Sequence, residues 1–282
     1  MRGPHRACSH GATRRPTRTA RPTNLASWCG PTDGYGAKGG FITHASWGAH
    51  GVAGADGSAH PPRAGKSFVR PAGLAVTDAS TLLVYVMDVY DPWSYAYLPS
   101  VSAVLSAATS LVDVEVVHDG RYSAQPSSAL VASVAEVRRR TDARFGSAFL
   151  SALRSDSLDL DPEAAAAGVI ALLASGEMPV STVLGAVQHE FFVNGHPLEA
   201  PGVLSRVATR LGLDAPAIEV FATSARAREL AVEDFAVAKE LDFDGGPLLL
   251  ASRGERLFEF DGLGATGERL VDQFRTVLAK PS

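Results

Sequence analysis

From residue 81 onward, apolar positions recur with two distinct periods, and their order predicts the architecture. Residues 82–88 (Leu82-Leu83-Val84-Tyr85-Val86-Met87-Asp88) are continuously apolar up to a terminal acid, the pattern of a strand buried on both faces. Over 92–109, Leu98, Val101, Val104, Leu105 and Ala108 fall at helical spacing. Residues 111–118 alternate and are rich in valine, so a second strand follows, closed by turn chemistry at Asp119-Gly120. A strand, an 18-residue helix and a strand make a right-handed crossover and therefore a parallel pair.

The helical period then dominates. One face of 127–141 carries Leu130, Val131, Val134 and Val137. Asp161-Pro162 is an N-cap followed by a first-position proline, opening a helix over 164–175 that Gly176 ends. Further helices are predicted over 181–194, 203–211 (stopped by Gly212) and, as one or two elements, 217–241. Period two returns at 248–252 and 256–260, a hairpin around Arg253-Gly254-Glu255. A closing helix is predicted over 266–278. The expected fold class is α/β: a thioredoxin-like β-α-β…β-β-α core with a large all-helical insertion over about 122–242.

Residues 1–80 are a different polymer. They carry 10 of the 26 Lys+Arg and only 3 of the 30 Asp+Glu, with 13 of the 27 Gly and 7 of the 17 Pro. No hydrophobic period is sustained there, so this stretch is expected to be a disordered basic tail preceding a domain at 81–282. Its basic residues are too scattered for a nucleic-acid arm, and no nucleic-acid partner is expected. Arg14-Arg15 is not followed by the apolar run that a twin-arginine signal needs, and no stretch approaches 18 consecutive apolar residues. The expected location is the cytoplasm, with no membrane association. Arg138, Arg139 and Arg140 end a predicted helix; they suit its dipole and offer a surface through which a homodimer would form.

Both cysteines, Cys8 and Cys29, lie in the tail. Cys8 with His10 and Cys29 with His44 match no compact zinc spacing, so no metal site is expected. The candidate chemistry sits instead where the first strand runs into its helix: Tyr90, Asp91, Pro92, Trp93, Ser94, Tyr95. Asp91-Pro92 would start a helix with no other role. The same position, just past the carboxyl end of a central strand, is where open α/β sheets usually bind ligands. A thiol there would have its thiolate stabilised; an aspartate cannot form a mixed disulfide and would repel a thiolate. Ser94 has no histidine near it in sequence to activate it, with His118 and His189 too distant to judge. Gly246-Pro247 enters the hairpin as an ordinary strand-start proline.

Four pieces in order resemble the DsbA-like branch of thioredoxin-fold proteins, specifically its FrnE-type oxidoreductases. They are Met87 through Tyr95, Arg144-Phe145-Gly146, the run from Glu190 to Leu198 leading to Leu211-Gly212-Leu213-Asp214, and Gly245-Gly246-Pro247. Kappa-class glutathione transferases and 2-hydroxychromene-2-carboxylate isomerases share that branch. The resemblance implies active-site positions at Asp91 and Ser94, and a cis-proline at Pro247 beside them. It implies that Tyr90, Trp93, Tyr95, Gly246 and Pro247 line a cleft for a peptide or small thiol ligand, glutathione included, with no resident cofactor. Oxidoreductases of this branch carry cysteine where Asp91 stands, and the transferases and isomerases carry serine. The expectation is a protein of the thiol–disulfide oxidoreductase lineage that is redox-inactive and binds a ligand in the old cleft. The alternative is a glutathione-dependent transferase or isomerase.

Overall fold

The computed structural model describes residues 67–69, 81–109, 111–124, 127–241, 243, 245–253 and 256–280. β2 (Thr81–Met87) is the central strand, buried at every position. It pairs in parallel with β3 (Asp113–His118) and antiparallel with β4 (Leu248–Arg253). β4 continues the hairpin to β5 (Arg256–Glu259). With β1 (Ser67–Val69) at one edge, the sheet order is β1-β5-β4-β2-β3.

β1 (Ser67–Val69) corrects one expectation, because it lies inside the stretch predicted to be disordered. It pairs antiparallel with β5, from Ser67 opposite Phe258 to Val69 opposite Arg256. The physical reason is the free edge of β5, whose unpaired backbone groups accept a short extended segment. Residues 1–66 and 70–80, with both cysteines, lie outside the described residues.

Alternation along β2 divides the core in two. Leu83, Tyr85 and Met87 face a large cluster with α1 (Pro92–Ala108) and α9 (Gly267–Leu278). Leu82, Val84 and Val86 face Val117, Leu248, Leu250 and Leu257. The second face is covered by Ala238 of α8 (Ala225–Glu240) and by Leu241. The crossover helix α1 thus packs on one face and a helix from the insertion on the other, as two buried faces require.

Between β3 and β4 stand seven α-helices. They are α2 (Ser127–Arg140), α3 (Ser147–Arg154), α4 (Pro162–Ala174), α5 (Val180–Phe192), α6 (Val203–Arg210), α7 (Ala215–Ala222) and α8. The 217–241 period resolves into two helices because Ser224 caps a new start, its side chain accepting from Ala227 N. An aromatic cluster joins the insertion to the core: Tyr95 of α1 stacks on Phe192 at 4.7 Å, and Phe149 lies 5.1–5.6 Å from Phe191, Phe192 and Phe145. None of the helices in the described residues is long and apolar enough to cross a membrane.

Candidate functional site

The start of α1 closes on itself. Asp91, 1% exposed, is the N-cap; its Oδ1 accepts from Trp93 N at 3.2 Å and its Oδ2 from Ser94 N at 2.8 Å. The carboxylate therefore takes the unpaired donors and the positive dipole end that an incoming anion would otherwise use. Pro92 follows at the first helical position, where its missing N–H costs nothing.

Ser94 is buried, and its hydroxyl is fully engaged. It donates to Asp91 Oδ2 at 2.8 Å and accepts from Asp88 N at 3.4 Å, while its carbonyl accepts from the Tyr85 hydroxyl at 3.3 Å. The third residue after the N-cap thus turns back onto the cap and away from solvent.

The sequence reasoning missed the charges around this helix start. Asp88 Oδ1 accepts from Tyr90 N at 2.7 Å, and Asp119 follows the end of β3, its N–H bonded to Met87 O at 3.0 Å. Burial, with the charges of Asp119 and Asp91 adding, pushes the Asp88 carboxyl well above the usual range. Burial also raises Asp91, which the Arg121 guanidinium partly offsets and Asp119 reinforces. Arg121 belongs to a 3-10 turn at Arg121–Ala124. Its Nε lies 3.5 Å from Asp119 Oδ2 and its backbone N–H 3.0 Å from Asp119 Oδ1. The signal was present: Asp119-Gly120-Arg121 leaves the carboxyl end of a strand parallel to β2, the ligand edge of an open sheet.

Gly245-Gly246-Pro247 reaches this edge. The β2–β4 ladder ends with Val86 opposite Leu248, so these three residues run past the paired part of β4 beside the turn holding Asp91. No peptide bond among the described residues is cis, so Gly246–Pro247 is trans, contrary to the expectation at Pro247. The entry into β4 is made by the glycines, whose φ values are +83° and +92°. Arg121 is packed against Gly245, where a Cβ would lie 1.7 Å from Nη2. Asp91, Arg121 and the glycine pair thus meet at one end of the sheet.

Tyr90 and Tyr95, expected to line the cleft, instead bind the helical insertion. Tyr90 is fully buried; its hydroxyl donates to Glu199 Oε2 and accepts from Leu198 N at 3.1 Å. Tyr95 OH donates to Arg144 O at 2.9 Å. Their rings follow the aromatic cluster, which is why their polar ends are spent there. Trp93 is 9% exposed, Gly246 buried and Pro247 half-buried. Tyr90→Phe removes a donor and an acceptor at once and is expected to cost about 1–3 kcal/mol, read by urea denaturation.

A second polar cluster lies in the resemblance motif at 190–198. Buried Glu190 accepts from His196 Nδ1 at 2.9 Å, Asn194 Nδ2 at 3.1 Å and Arg210 Nη1 at 3.1 Å. Burial alone would raise this carboxyl, but the three donors outweigh it and hold it at about 2. Its folded value is below the ordinary one, so its contribution is complete above about pH 4.5 and is lost as pH falls towards 2. The stability gap between wild type and Glu190→Gln should therefore shrink across that window, measured by chemical denaturation at each pH. Among the described residues no group of acids and histidines could hold a metal ion. Arg139 and Arg140 both pair with Glu136, at 3.0 and 2.7 Å.

No protein-family profile and no curated protein sequence matches the chain. Solved structures do. A Nitrosomonas europaea protein, provisionally assigned as a protein disulfide isomerase, is similar with a TM-score of 0.61 and 19% identity, over 71% of this chain and 98% of that one. The cytosolic disulfide reductase DsbM of Pseudomonas aeruginosa is similar with a TM-score of 0.57 and 24% identity, over 70% and 96%. The same protein solved with GSH gives a TM-score of 0.55 and 22% identity over the same shares. The chain has a DsbA-like thioredoxin fold. Its core strands, α1 and helical insertion are those of that fold, and residues 81–282 of this chain contain no cysteine.

Proposed function

We propose that this DsbA-like protein does not perform thiol–disulfide exchange and instead binds a peptide or small thiol ligand, in the cytoplasm, in the cleft at the start of α1. The observation that carries the reading is the self-capped helix start. With Asp91 bonded to Trp93 N and Ser94 N, the donors that would stabilise a thiolate are taken by a fixed carboxylate. No cysteine stands anywhere in 81–282 to exchange disulfides. Beside it, the strand end, the glycine pair and a trans Pro247 offer backbone on which an extended ligand would pair. Glutathione suits that description, and DsbM, whose fold is shared, has been solved with GSH.

A glutathione-dependent transferase or isomerase is less well supported. Such an enzyme needs a donor aimed at the ligand sulfur, and the Ser94 hydroxyl hydrogen is committed to Asp91. The decisive pair of experiments is insulin reduction with dithiothreitol and retention on immobilised glutathione. A rate equal to the protein-free background together with retention is the expected result; catalysis above background would sink the redox-inactive reading.

A further inference from the structure

The guanidinium of Arg121 is half used. Its Nε edge faces Asp119 Oδ2 at 3.5 Å, yet Nη1 and Nη2 form no hydrogen bond among the described residues. The side chain is 25% exposed, while the nearby carboxylates of Asp88, Asp91 and Asp119 are buried. An arginine fork presents donors on two edges and bridges two carboxylates without moving.

Its position is specific. Nη2 occupies the space a side chain at residue 245 would take, 1.7 Å from an ideal Cβ there, and lies 4.0 Å from the corresponding point at Gly246. Both glycines have positive φ, so the backbone curves around the guanidinium immediately before Pro247 and the open end of β4. Among the described residues, the titratable groups facing Arg121 are Asp119, Asp91 and Tyr122.

We infer that Arg121 is the anion anchor of the cleft, its Nη edge receiving the carboxylate of a peptide-like ligand laid along Gly245-Gly246-Pro247. This rests on the proposed ligand-binding reading and names the ligand class: a short peptide bearing a free carboxylate, recognised by charge and not by sulfur. Asp119 is a positioning residue, holding the Nε edge so that the other edge points into the cleft.

The test is calorimetric titration of the full chain with glutathione, S-methylglutathione and glutathione diethyl ester, on wild type, Arg121→Gln and Arg121→Lys. Wild type should bind glutathione and S-methylglutathione alike and the diester about tenfold or more weakly, the loss of a charge-assisted pair. Arg121→Gln should weaken glutathione to the level of the diester and leave the diester unchanged; Arg121→Lys should fall between. Circular dichroism melts establish that the variants fold, and Arg121→Lys serves if Arg121→Gln does not. Equal glutathione affinity in wild type and a folded Arg121→Gln would overturn the anchor while leaving the cleft intact. A wild type that binds none of the three would overturn the ligand-binding reading, and the anchor with it.

Discussion

Replacing Asp91 and Ser94 together by cysteine is expected to raise insulin reduction clearly above the wild-type rate, itself expected to equal the background. The geometry argues for it directly. A sulfur at residue 91 would stand where the carboxylate now accepts from Trp93 N and the residue-94 N–H, at the positive end of a 17-residue helix. The Arg121 charge that now acts on Asp91 would act on a thiolate instead. Removing the aspartate also removes a negative charge that helps push Asp88 up. The thiol at 91 should titrate below about 7.5, against an ordinary cysteine near 8.5. A folded double variant with an unshifted thiol and no turnover would mean that the start of α1 does not offer the environment described.

The largest effect on stability is expected at Gly146, where Gly146→Ala should cost about 3 kcal/mol. Gly146 caps α3 with φ −70° and ψ 153°, a conformation any residue adopts, so backbone freedom is not the issue. The constraint is proximity. An alanine Cβ would sit 2.0 Å from Val193 O, and the Gly146 N–H is bonded to Phe192 O at 2.9 Å. Phe192 cannot retreat, since its ring packs against Tyr95, Phe145, Phe149 and Phe191. Urea denaturation should show a lower midpoint at unchanged slope. A change under about 0.5 kcal/mol, the size of an ordinary surface substitution, would contradict this packing.

Most of the fold was legible because it rests on periods that burial enforces. β2 is apolar at six of seven positions since both its faces are covered, and the crossover through α1 leaves only a parallel partner for β3. Asp91, Asp161 and Asp214 each cap a helix whose first turn contains proline, a signal readable without coordinates. α3 is not among the helices that periodicity predicts, since eight residues with two buried apolar side chains make too short a period. β1 could not be read at all, because three residues gain their order from the edge of β5 nearly two hundred positions later.

The candidate site was legible in part. Asp91 and the Gly245-Gly246-Pro247 segment both follow or precede strand ends on the same side of the sheet, at Met87 and Leu248. The side-chain roles were not legible, because they depend on which hydrogen bonds each polar end finds. Tyr90 finds Glu199 and Leu198 more than a hundred positions away, a pairing that leaves no trace in local sequence, whereas Ser94 finds Asp91 only three positions back. Arg121 was overlooked although Asp119-Gly120-Arg121 follows a strand end; its placement against Gly245 depends on a glycine more than a hundred positions away.

The most direct measurement is a two-dimensional amide NMR titration of the uniformly labelled chain with S-methylglutathione, whose sulfur can do no exchange chemistry. Shifts should concentrate at Trp93, Arg121, Gly245, Gly246 and Leu248, marking one ligand cleft that works without a reactive thiol. An unperturbed spectrum at millimolar ligand, or shifts confined to α6 and α7, would contradict it.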